Sequence, residues 1–225
     1  MPRIHFQLQL AELKDKLLAM AALSQLAVES AVDAYLERDQ GLCQYVRQNE
    51  TAINTAQREL DEMAYELLAK EQPMAIDLRF ITAVMKINAD LERVGDQAVN
   101  IAERVLHSLE LPEVELPADI PRMAGVARDM VRRALQSFID ARPEAAEEIL
   151  KMDDVVDDMN REIHAAMIAH MKRVPDALQQ ALDALLISRN LERVADHATN
   201  IAEDVIFWIK GADVRHHFGM NALQP

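Results

Sequence analysis

The stretch ERVGDQAVNIAE, Glu92 to Glu103, returns a hundred residues later as ERVADHATNIAE, Glu192 to Glu203, with nine of twelve positions identical. In a chain of 225 residues this repeat implies two similar halves of about a hundred residues each. Around each copy the apolar residues are spaced alternately three and four apart. The first row is Val84, Ile87, Leu91, Val94, Ala98, Ile101 and Val105; the second is Ala184, Ile187, Leu191, Val194, Ala198, Ile201 and Val205. Such spacing is the buried seam of a helix. Running from Ile76 to Leu109, that helix would be roughly 50 Å long at about 1.5 Å per residue, so its partners must be long helices too.

Helix punctuation falls at Gly41, at Pro73, through Pro112, Pro117 and Pro121, at Pro143, at Pro175 and at Gly211, leaving six helical segments. Three prolines in LELPEVELPADIP cannot continue a helix and mark residues 112–121 as the linker. The expected architecture is all-α: one three-helix bundle over 1–111, a second over 122–212, placed end to end or side by side, and a tail over 213–225. Five glycines, eight prolines and 4% aromatic residues fit a nearly all-helical chain.

The net charge of -14 argues against nucleic acid as a partner and suits a protein that attracts cations. The one cysteine, Cys43, excludes an intrachain disulfide and reads as a small buried hydrophobe. Methionines such as Met20, Met63 and Met85 stand at core spacing. The N-terminus lacks a signal-peptide layout, and no apolar run approaches the roughly 20 residues that span a bilayer, so the chain reads as cytoplasmic.

On a helical wheel with Leu91 at zero, the seam lies within about 80°, whereas Glu92, Asp96, Asn100 and Glu103 fall between about 100° and 180°. The repeat sends Glu192, Asp196, Asn200 and Glu203 to the same flank. If the second and third segments form an antiparallel hairpin about Pro73, Glu50 faces Asp96 and Asn54 faces Glu92. A hairpin about Pro175 likewise sets Asp153 opposite Asp196 and Asp157 opposite Glu192. Carboxylates four residues apart repel unless something compensates them. Paired on rigid neighbouring helices they would hold a hard divalent cation or iron, with Mg, Mn, Ca or Fe favoured over Zn because the donors are oxygens. The bland reading is a solvated acidic face relieved by Arg93, Arg104 and Arg193. His197 points away from these carboxylates and reads as a surface residue, His216 and His217 as a solvated tail, and Asp77 as a helix N-terminal charge.

Both dodecamers, with PMAIDLRFITAVMKINADLERVGD (Pro73 to Asp96) and IKGADVRHH (Ile209 to His217), resemble the PhoU family of regulators of bacterial phosphate uptake, over almost the whole chain. The resemblance implies two three-helix bundles related by a pseudo-twofold axis. It also implies multinuclear metal clusters on E(D)xxxD pairs, here Glu92 with Asp96, Glu192 with Asp196, and Asp153 with Asp157. The chain departs from that pattern at Glu50 with Asn54, and at Ala21 and Gln25, where the family often has Gly and Glu. The implied role is regulatory rather than catalytic. It is that of a homodimeric adaptor between the ATPase subunit of the phosphate ABC transporter and a sensor histidine kinase, with peripheral membrane association. The alternatives are a metal-free helical scaffold and, remotely, a di-iron enzyme. The second needs inward Glu-x-x-His motifs, and no Glu here has a His three residues on.

Overall fold

The computed structural model describes residues 2–214, with side chains from residue 4 onward; His216 and His217 lie outside the described residues. Seven α-helices follow one another: α1 (Pro2–Glu37), α2 (Gln40–Glu71), α3 (Ile76–Leu109), α4 (Ile120–Asp140), α5 (Pro143–Leu150), α6 (Asp153–Arg173) and α7 (Leu178–Lys210), with a 3₁₀ turn, Pro175–Ala177, leading into α7. Among the described residues there is no strand.

Local chemistry sets several of the boundaries. Asp39 caps α2, its carboxylate accepting from the Gly41 and Leu42 amides at 2.6 and 3.2 Å. Asp119 caps α4 through the Arg122 amide at 3.2 Å, which puts Pro121 in the first helical turn, where its missing N–H costs nothing. Gly211, with φ of 69°, stops α7 in the left-handed conformation that glycine adopts without strain.

The segment expected as one helix after Pro143 is instead two. At Lys151 and Met152 the amides bond to Glu148 and Ile149, three residues back, and a new helix starts at Asp153. The sequence KMDDVVDD explains the break. Aspartates are poor helix-interior residues but favourable beside free amides at a helix N-terminus, and Asp153 and Asp154 occupy the first turn of α6. Both break residues keep right-handed backbone angles, so the chain bends rather than reverses.

All fourteen seam residues of α3 and α7 are at most 1% exposed. In the first half α1, α2 and α3 pack together, in the second α4 to α7 do, and α1 meets α4 while α3 meets α7. The bundles therefore stand side by side around one continuous core. Contacts between α3 and α7 give their direction: Lys86 bonds Asp204, Asp90 bonds Asn200 and His107 bonds Asp183. Numbers rise on one helix as they fall on the other, so the two run antiparallel. Residues 92–98 are thereby level with 192–198 at the middle of the pair. Phe80, Phe138 and Trp208, with ring centroids 5.1–5.9 Å apart, join α3, α4 and α7 near one end.

One expectation from the sequence needs correction. By length and composition α1 is apolar enough to cross a bilayer, with an 18-residue window of mean hydropathy 1.3, but 56% of that window is buried inside the bundle. Its apolar residues, Leu13, Leu17 and Met20 among them, form core.

Gly95, where the second repeat has Ala195, lets the Ile53 side chain of α2 pack directly onto the α3 backbone: a Cβ there would come within 2.9 Å of Ile53 Cδ1 and 3.3 Å of its Cγ2. Gly95→Val should therefore destabilise the fold by about 1–3 kcal/mol through overpacking. Urea unfolding measures this, and an unchanged midpoint would show that α2 and α3 separate at no cost.

Candidate metal centre

The second-half group is the more sharply defined. Ser188 on α7 donates to Asn160 on α6 at 3.0 Å, which fixes the register of the two helices. One turn or two away, Asp153 and Asp157 on α6 meet Glu192 and Asp196 on α7. Burial, followed by the charges of Asp196, Asp157, Asp154 and Glu192, pushes the Asp153 carboxyl up to about 6. Asp196 is likewise raised, first by burial and then by Glu192 and Asp157, against the opposing pull of His197 and Arg193. Asp153 Oδ1 is buried and has no hydrogen-bond partner.

In the first half, Asn88 on α3 donates to the Gln57 carbonyl and to Asp61 on α2, both at 3.0 Å, again setting register. Glu92 is raised by burial and then by Asp96, with Glu50 adding to the repulsion and Arg93 and His197 opposing it. Burial also raises Asp96, again against Arg93 and His197. Asn54 is half-buried on the same strip of α2, and its side chain brings an oxygen but no charge. This group is thus less acidic than its counterpart.

Among the described residues, no three of His, Cys, Asp and Glu converge tightly enough to grip one ion as they stand. Ionised carboxylates sharing neither proton nor cation repel one another, which favours splayed rotamers. The chemistry of both groups nonetheless fits a hard cation. The donors are oxygens, they crowd together against their own repulsion, and one buried carboxylate oxygen is left without a partner. Asp153, Asp157, Glu192 and Asp196 would hold it in the second half; Glu50, Asn54, Glu92 and Asp96 would in the first.

The NIAE ends of the repeats do not extend these groups in a common way. Asn100 and Glu103 are exposed on α3. Asn200 instead turns to α3 and donates to Asp90 at 3.1 Å. Glu203 lines a crevice of about 270 Å³ with Lys86, Asp90, Arg93 and Asp204.

His197 is not the surface residue that its wheel position implies. Its side chain is only 13% exposed, and Nδ1 lies 2.9 Å from Asp90 Oδ1. Sequence reasoning overlooked Asp90 as well. Both lie on the flank of the seam opposite the paired carboxylates, near -100° and -120°, which the wheel treats as outward. A charged residue there is a signal only once α3 and α7 are known to pack on that flank.

Because the Asp153 carboxyl titrates higher in the folded chain than its usual 3.8, its contribution favours folding fully below 3.8 and is lost as pH rises to about 6. For chelator-treated protein, Asp153→Asn should therefore raise stability at pH 7.5 by about 1 kcal/mol once solvent screening is allowed for. The gain should shrink toward pH 4.5. Thermal melts across that range measure it, and a loss of stability at pH 7.5 would contradict the crowding of these carboxylates.

The PhoU domain model matches the chain twice, over residues 17–105 and 120–205, once in each half. The chain is 36% identical over 214 residues to a Pseudomonas putida protein called "Phosphate-specific transport system accessory protein PhoU homolog", covering 94% of this chain and 83% of that one. It is equally 36% identical to the protein of that name from Pseudomonas aeruginosa, covering 94% and 88%. The crystal structure of PhoU from Pseudomonas aeruginosa superposes with a TM-score of 0.88 at 34% identity, covering 92% of this chain and 100% of that one. PhoU from Streptococcus pneumoniae gives 0.83 at 27% identity, with 93% and 99% covered. With each half matched by the family's own domain and these relatives spanned over most of their length, the chain belongs to the PhoU family.

Proposed function

We propose that the protein regulates phosphate uptake and, through it, the expression of phosphate-starvation genes, which it holds off when phosphate is plentiful. It acts in the cytoplasm as an accessory protein rather than an enzyme, docking both the ATPase subunit of a phosphate ABC transporter and a sensor histidine kinase, and it works as a homodimer that can associate peripherally with the membrane. Kinship with proteins named for phosphate-specific transport supports the first part. A rigid body suits docking: two bundles on one core, with Leu178, Leu182 and Leu186 exposed on α7 at spacings of four.

The carboxylate groups are the proposed cation centres, and the observation that carries this is Asp153, crowded by four carboxylates with a buried oxygen left unpartnered. A bound Mg, Mn, Ca or Fe ion would supply positive charge that offsets this repulsion and can bridge an acidic surface to another one. The chain's residues would hold α6 against α7 and α2 against α3 at the register that keeps the donors level. A metal-free scaffold is the second reading, favoured by the lack of a preformed three-ligand nest among the described residues.

Metal analysis of protein purified without chelator separates the two. The wild type should carry Mn, Fe, Mg or Ca, and Asp96→Ala combined with Asp196→Ala should lose most of it; equal content in both would leave the scaffold reading. Deleting the gene should derepress alkaline phosphatase in phosphate-rich medium, and unchanged repression would remove the regulatory role.

A further inference from the structure

Asp90 is a charged side chain in the middle of the packed surface between the two halves, and only 7% of it is exposed. Burying a carboxylate there without partners would cost several kcal/mol, of the order of the effective penalty per ion in proteins. Its Oδ1 is met instead by two donors from the opposite helix: Nδ1 of His197 at 2.9 Å and the Asn200 amide at 3.1 Å. The pair breaks the internal repeat, since Asn190 and Gln97 stand at the corresponding places. Asn190 bonds its own helix, and Gln97 Oε1 is buried without a partner. One polar clamp, not two, therefore crosses this seam at that level.

The clamp sits between the two carboxylate groups. Antiparallel packing brings Glu92 and Asp96 level with residues 194–198, and the imidazole of His197 acts electrostatically on Glu92 and Asp96 of one half and on Asp196 of the other. We propose that Asp90 is a positioning residue for both centres: by binding His197 and Asn200 it locks α7 onto α3 and so fixes the spacing of the two carboxylate groups across the seam. Helices α3 and α7 each carry ligands of one group, so loosening one helix against the other shifts both, and residues that act through packing in this way modulate a distant site by about 2–30-fold. The inference rests on the cation-binding reading above.

Mn²⁺ is the probe, titrated calorimetrically into full-length chelator-treated protein. Two backgrounds isolate the centres: Asp196→Ala leaves the first-half group and Asp96→Ala the second. Asp90→Ala should weaken Mn²⁺ binding about 5-fold in both. Asp183→Asn is the control for a general loss of packing. Asp183 is also a buried inter-half carboxylate, 2.6 Å from His107 Nδ1, but it lies far from the 92–98 level. It should leave affinity within about twofold. If Asp90→Ala fails to fold, as judged by circular dichroism, the isosteric Asp90→Asn replaces it and should also weaken both centres. Unchanged affinity, a loss confined to one half, or an equal loss with Asp183→Asn would overturn the proposal. Wild-type protein that binds no Mn²⁺ would overturn the cation reading and this inference with it, whereas normal wild-type binding with unaffected Asp90 variants would remove this inference alone.

Discussion

Everything in this molecule hangs on the antiparallel packing of α3 against α7. Each is a helix of more than thirty residues whose seam is buried throughout, and each belongs to its own bundle while lining the other. Because dispersion and apolar burial accumulate along the whole length, the pair tolerates polar residues along it provided they are paired. Lys86 with Asp204, Asp90 with His197 and Asn200, and His107 with Asp183 meet that condition. These bonds add direction and register to a contact that apolar packing alone would leave free to slide.

The same packing explains why acidic groups collect where they do. The outer helices α2 and α6 approach α3 and α7 on the flank beside the seam, and hydrogen bonds from Asn88 and Ser188 hold each hairpin in register. Carboxylates on both sides of each hairpin are thus brought together by rigid elements that have no freedom to move apart. The raised proton affinity of Glu92, Asp96, Asp153 and Asp196, from burial and from their charged neighbours, is the sign of that confinement, and a proton and a hard cation relieve it by the same means. The break between α5 and α6 contributes directly. It turns Asp153 from a residue inside a long helix into one at a helix start, where its position against Asp196 is set by a new helix axis.

The long helices, the duplication, the buried seams and the pairing of Asp153 and Asp157 with Glu192 and Asp196 were legible in the sequence, because helical periodicity and hairpin geometry are local rules. Three things were not. A break at Lys151 and Met152 depends on a competition between helix continuation and N-terminal placement of aspartate, which no glycine or proline announces. The long apolar stretch of α1 looks the same whether it is destined for a core or a bilayer. Asp90 and His197 look like surface residues on a single-helix wheel, because a wheel knows nothing of the second helix that covers that flank.

By itself the sequence determined that this chain is helical, that it is built twice over, and that each half carries its carboxylates on the edge of a core helix. Spacing along one chain is enough for that. Only the tertiary structure decided that the halves stand side by side and that α3 and α7 run antiparallel, so that the two acidic motifs share one level with Asp90 and His197 between them. The physical reason is that these features depend on contacts between residues a hundred positions apart, where the energy of packing two surfaces, not the pattern on either one, selects the arrangement.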